Sequence, residues 1–166
     1  MHTCCAAGRR NADGNHVTSD TQRQNKEHSM GKPFTAVTPA SGWNARYTFS
    51  AAVRAGNLLF ISGMTAANDQ GELVGEGDIV RQTEYIFEKM GRVLEAAGAS
   101  FDNIVETTEY FTTLDGYSKT AGVRRKVFGD APWPAATGVL VAGLIRPGAL
   151  IEIKATAVLE GPAPVS

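Results

Sequence analysis

Two charged side chains sit inside stretches that are otherwise apolar, and both have chemistry to offer. Glu152 lies in "LIEIK" (150–154), where strand alternation puts Leu150, Glu152, Lys154, Thr156 and Val158 on one face. A carboxylate on a buried strand is unfavourable unless paired. Two readings stay open: an ion pair with Lys154 two residues along, or a general base or water-orienting group whose pKa is raised by burial. Arg124 falls on a predicted helix, where about 100° per residue brings Tyr117, Ala121, Arg124 and Phe128 onto one narrow face. Its guanidinium either follows that stripe toward a cleft or snorkels to the surface or into a salt bridge between subunits. Arg125 lies farther round. Trp133 precedes Pro134 in a loop, as a packing plug or as the wall of a pocket suited to a flat substrate.

Other chemistries are excluded by composition. All three histidines (His2, His16, His28) and both cysteines (Cys4, Cys5) fall within the first 34 residues, so residues 35–166 hold neither an imidazole nor a thiol. Catalysis there falls to carboxylates, hydroxyls, Lys, Arg, Tyr or backbone groups. Residues 1–34 are polar and lack hydrophobic periodicity, which predicts a disordered N-terminal arm ahead of one domain over 35–166. The histidine spacing in that arm matches no metal-ligand pattern, and no metal or cofactor is expected. The arm also lacks the apolar core of a signal peptide. The net charge of −1 gives no reason to expect nucleic acid as a partner. No apolar run approaches the roughly 20 residues of a membrane span. A cytoplasmic protein with a small-molecule substrate is the expectation. "GELVGEGD" is glycine-rich but lacks a phosphate-loop pattern and reads as a surface loop.

These side chains need elements to position them. Weak alternation predicts a strand over 47–54, and the apolar run "LLFIS" a second over 58–62. Asp78 is placed to cap a helix whose apolar positions, from Ile79 to Ala97, recur every three or four residues before Gly98. "IVETTEYFTTL" (104–114) reads as a strand, and a second helix opens at Asp115 or Gly116 and runs to about Phe128. Strands follow over 137–144 and 149–159. The order β-β-α-β-α-β-β is an α+β plan with two helices on one face of a sheet. Three of the strands are apolar on both faces, yet two helices cover only one. Self-association is the simplest way to bury the other.

The stretch from Thr48 to Leu159 resembles the Rid/YjgF family of reactive-intermediate deaminases. The resemblance rests on "GNLLFISG" (56–63), "QTEYIFEKMGRVLEAAGASFDNIVETTEYFT" (82–112) and "RPGALIEIKATAV" (146–158). It implies a chorismate-mutase-like fold with a mixed sheet, a homotrimer with a barrel-like core, and ligand clefts between subunits. It also implies hydrolysis of small enamines or imines such as 2-aminoacrylate to ketoacids and ammonia. Glu152 then matches the glutamate that positions water, and Ser62-Gly63 and Thr137 match cleft-lining positions. The family's carboxylate-binding arginine stands in a Pro-Ala-Arg-Ser stretch, which here is Pro134-Ala135-Ala136-Thr137. Phe49 takes the place of a family tyrosine, and Ala121 that of an asparagine. The chain thus reads as a divergent branch without the usual clamp, its site roomier and more apolar. Arg124, with space left by Ala121, or Arg146 is the candidate replacement. The competing reading is a non-catalytic, ligand-binding trimer that has lost the deaminase clamp. A ribonuclease reading finds no basic, aromatic platform to rest on.

Overall fold

The computed structural model describes residues 32–41, 43 and 47–160. The expected arm lies, apart from 32–34, outside the described residues. Six strands form one mixed sheet: β1 (Thr35–Val37), β2 (Ala52–Ala55), β3 (Leu58–Met64), β4 (Ile104–Phe111), β5 (Ala135–Leu140) and β6 (Ile151–Val158), in the order β1-β2-β3-β6-β4-β5. Every pairing is antiparallel except β4 with β5. That parallel pair needs a crossover, and α2 (Thr120–Phe128) supplies it. The longer helix, α1 (Ile79–Ala96), connects β3 to β4. Both helices pack on the same face, as expected.

Helix α1 starts where Asp78 accepts hydrogen bonds from the N–H groups of Val80 and Arg81. Its stripe of Ile79, Ile86, Phe87, Met90, Val93 and Leu94 is buried against Leu59, Met64, Ile151 and Ile153 of the sheet. It ends at Gly98, whose φ of 70° suits the left-handed turn that closes the helix. Gln82 is fully buried on this stripe. Its amide donates to the carbonyls of Gly75 (3.0 Å) and Gly148 (3.2 Å) and accepts from the N–H of Leu150 (2.8 Å), tying two loops to the helix.

Several element boundaries differ from the sequence reading. The strand expected over 47–54 is confined to Ala52–Ala55, because the described residues 47–51 lead into it around an aromatic cluster. The strand expected over 137–144 is Ala135–Leu140. The second helix begins with a 3-10 turn at Tyr117–Lys119. An unexpected edge strand, β1, pairs with β2; at three residues it is too short for a hydrophobic period. The strand expected over 58–62 runs on to Met64 through a bulge, since Ile61 faces Ala155 while Met64 faces Ile153. Away from the helices the sheet is uncovered: Leu58, Phe60 and Val139 are 36%, 45% and 37% exposed.

Candidate functional site

The expected site residues fall into two groups on opposite faces of the sheet. On β6 the inward residues Ile151 and Ile153 are buried, so Glu152 points to the uncovered face. The β3 bulge carries Ser62 and Gly63 up to it. A Cβ on Gly63 would overlap the Oε1 of Glu152 and stand 3.1 Å from its Cδ, so only glycine lets the carboxylate lie there. Ser62 donates through Oγ to the carbonyl of Ser50 (2.7 Å), and its N–H bonds the carbonyl of Ala51 (3.0 Å). Those bonds hold the segment beginning at Phe49 alongside the bulge. The Phe49 ring is exposed and stacks on Tyr47 (5.2 Å between centroids) and edge-on to Trp43 (5.5 Å).

Half-burial pushes the Glu152 carboxyl above its ordinary value. The ion pair with Lys154 does not form; among the described residues Glu152 has neither a salt bridge nor a hydrogen bond. Residues 152 and 154 project from the same face, but the bulge draws the carboxylate toward Gly63. The opposite residue on β4 is Tyr110.

The second group lies on the helix face. Ala121, Arg124, Trp133 and Ala136 line one cavity of about 240 Å³ between α2, the loop after it and the start of β5. Thr107, Arg125 and Phe128 complete much of its wall. Thr137, next along β5, faces the other way and sits in register with Thr108, which in turn pairs with Lys154.

Arg124 is committed to a buried partner. Its Nη1 donates to both oxygens of Glu109 (2.8 and 2.7 Å), and the Tyr117 hydroxyl donates to Oε2 of the same carboxylate (2.8 Å). Glu109 is 2% exposed, and a carboxylate so buried is unfavourable without partners of this kind. The Arg124 guanidinium also lies 5.6 Å from the Tyr117 ring centroid. Within the chain it does not meet Glu152, because Glu109 pairs with Ile153 and therefore faces the helices. Arg146 is engaged elsewhere, with Nη1 on the Gly71 carbonyl (2.7 Å) and Nε on Thr65 Oγ1 (3.2 Å). Beside it, Lys89 donates to the Thr65 carbonyl (3.0 Å), and burial lowers its pKa to about 8.

Sequence reasoning passed over Glu109, which sits in "IVETTEYF" much as Glu152 sits in "LIEIK". It also set Arg125 aside as lying farther round the helix, whereas Arg125 lines the cavity. Among the described residues no group of three or more His, Cys, Asp or Glu side chains could hold a metal ion.

Residues 40–159 match the family model described as Endoribonuclease L-PSP. The RutC family protein YjgH of Escherichia coli is 34% identical over 126 residues, 74% of this chain and 93% of that protein. The Arabidopsis thaliana protein named Reactive Intermediate Deaminase A, chloroplastic, is 35% identical over 112 residues, 67% of this chain and 58% of that longer protein. Among solved structures, YyfA of the conserved Rid protein family from Yersinia pestis superposes with a TM-score of 0.70 at 30% identity, over 76% of this chain and 99% of that one.

Proposed function

Because the chain belongs to the Endoribonuclease L-PSP family, which includes the Rid/YjgF proteins, we propose that it is a hydrolytic deaminase of small, unstable enamines and imines. The observation that carries this reading is the unpaired, half-buried Glu152 carboxylate lying over Gly63. A carboxylate so placed can take a proton from water and return it later.

The chemistry balances simply. The enamine tautomerises to its imine, which takes a proton on nitrogen from solvent, and water adds to the C=N carbon of that iminium as Glu152 accepts one of its protons. The resulting carbinolamine carries hydroxyl and amine on one carbon. Glu152 returns the proton to nitrogen, the C–N bond breaks and ammonia leaves, and the hydroxyl proton passes to solvent so that a carbonyl remains. None of these steps needs a cofactor.

Glu152 and the helix-side cavity belong to opposite faces of one protomer, and this supports an active site completed between copies. The uncovered apolar face with Phe60 and Val139 supports the same reading, with a homotrimer as the assembly and the cytoplasm as its compartment. The test is ammonia release from 2-aminoacrylate generated in situ. Wild type should accelerate it, and Glu152→Gln should lose that acceleration. No acceleration by wild type would favour a ligand-binding trimer without catalysis.

A further inference from the structure

Three cations gather where α1 meets the loop after β3. Lys89 projects from α1 and is 8% exposed, and its Nζ donates to the Thr65 carbonyl (3.0 Å). Arg146 comes to the same residue from the loop before β6, with Nε on Thr65 Oγ1 (3.2 Å) and Nη1 on the Gly71 carbonyl (2.7 Å). Arg92 stands one turn beyond Lys89 on α1. Its guanidinium lies 6.0 Å from the Tyr85 ring centroid, although Tyr85 is two turns, or about 10 Å, nearer the start of the helix. The side chain therefore leans back along α1, past Lys89, which shares that face. Among the described residues none of the three cations forms an ion pair.

Arg92 also carries two orphan donors. Its Nε and Nη2 are both buried, and neither has a hydrogen-bond partner among the described residues. These two nitrogens form one edge of the guanidinium, the edge whose parallel N–H groups grip both oxygens of a carboxylate. Buried donors are seldom left unpaired, because they lose water without compensation. Two on one edge mark a place for a two-oxygen anion.

Lys89 can become that anion. Burial first, then Arg146 and Arg92, lower its pKa to about 8, against a small opposing pull from Asp69. Part of the amine is then uncharged near neutral pH, and an uncharged amine is a nucleophile. The cations that disfavour an ammonium at this place favour a negative group built on the same nitrogen.

We propose that Lys89 is a carbamate-forming site: its Nζ takes up carbon dioxide, and the carboxylate formed is held on the Nε–Nη2 edge of Arg92 with Arg146 close by. The lone pair of the neutral amine attacks the carbon of CO2 and a C–N bond forms. One C=O bond opens to leave the charge on oxygen, and one N–H proton passes to solvent. The remaining N–H still donates to the Thr65 carbonyl. The side chain changes from a cation to an anion between two guanidinium groups, and no part of this depends on Glu152 or on deamination.

The full chain is equilibrated with isotopically labelled bicarbonate near pH 8. Carbamates are fixed as ethyl esters with triethyloxonium, and tryptic peptides are read by mass spectrometry. Lys89 should carry the labelled ethoxycarbonyl group at least ten times more often than the exposed Lys119 and Lys126. Arg92→Gln should lower the Lys89 adduct at least fivefold. Arg92→Lys should do the same, because it keeps the charge and loses the paired N–H edge. Melting temperatures check that both variants fold, and the wild-type comparison among lysines needs neither. Absence of label at Lys89, or equal label on Lys119 and Lys126, overturns the proposal, and so does full labelling in Arg92→Lys. Inorganic phosphate titrated into protein freed of CO2 gives the last check. Phosphate binding that persists in Lys89→Gln and is lost in Arg92→Gln would assign the edge to a free anion and overturn the carbamate.

Discussion

The carboxylate of Glu152 lies over the Cα of Gly63, at the one place where β3 takes an extra residue relative to β6. A methyl group at position 63 would overlap the carboxylate oxygen, so Gly63→Ala must displace Glu152 or shift the strand. The expected result is loss of most of the ammonia-releasing activity, on the order of 10²-fold or more if Glu152 is the base. Comparing the steady-state rates of Gly63→Ala and Glu152→Gln checks this. Activity in Gly63→Ala close to wild type would show that the position of Glu152 does not matter.

The raised Glu152 pKa also predicts a stability effect with a definite sign. Half-burial disfavours the charged form in the folded state only. The folded protein then holds this proton to higher pH than the unfolded chain does. Stability therefore falls as pH rises from the ordinary glutamate value of 4.5 through the raised folded value. Glu152→Gln should match wild type in stability at lower pH, gain on it through that window and keep a constant advantage above it. Melting temperatures of both proteins across pH 3 to 8 measure this. Catalytic rate should rise with pH over the same window, as the base loses its proton.

Arg124 and Glu109 make a different kind of prediction. Arg124→Met would strand a carboxylate that is 2% exposed, leaving only Tyr117 to satisfy it. Breaking a buried pair from one side costs about 3–5 kcal/mol. Urea denaturation should show a loss of that size. The double variant Arg124→Met with Glu109→Leu should recover much of it. A single-variant loss under about 1 kcal/mol would mean that the pair is screened like a surface bridge.

What the sequence made legible follows from how each signal arises. The period of α1 from Ile79 to Leu94, its Asp78 cap and the alternation in β6 are local patterns, and all three appear in the structure. The helix-side cavity is half legible, because Ala121, Arg124, Trp133 and Ala136 stand out in the sequence as candidate cleft positions. The Glu109–Arg124 pair was hidden because it joins residues 15 apart across two elements. Glu109 nonetheless carried the same signal as Glu152, a carboxylate among apolar strand residues, and that rule applied to β4 would have found it. Arg125 was missed because helix geometry alone ranks it off the apolar stripe. The cavity reaches it only because the loop carrying Trp133 and the edge of β5 enclose that side. Opposite faces for Glu152 and Arg124 emerge only once the β4–β6 register is known.

Gln82 tests the packing that holds the site's loops. It is an amide on the apolar stripe of α1, with all three of its hydrogen bonds made to loop backbone at Gly75, Gly148 and Leu150. Gln82→Leu keeps similar volume and helix propensity but leaves two carbonyls and one N–H without partners. Stranding buried backbone groups costs on the order of 1–3 kcal/mol. A loss in that range should appear in denaturant unfolding, and proteolytic nicking in the 65–77 and 143–150 loops should speed up with it.

Phe60 tests the uncovered face. It is 45% exposed in a strand whose neighbouring residues, Leu59 and Ile61, are buried, and its register partners are Val53 and Thr156. A charge at this position should cost the isolated fold little, since the side chain already meets water in the single chain. In an assembly that buries this face, the same charge is desolvated without a partner and is strongly unfavourable. Phe60→Glu should therefore shift sedimentation velocity from a trimer toward monomer, with far-ultraviolet circular dichroism unchanged. If the active site is completed between copies, ammonia release should fall in proportion to the trimer lost and return at higher protein concentration. A monomeric wild type, or a Phe60→Glu variant with unaltered sedimentation, would mean that this face is not the interface.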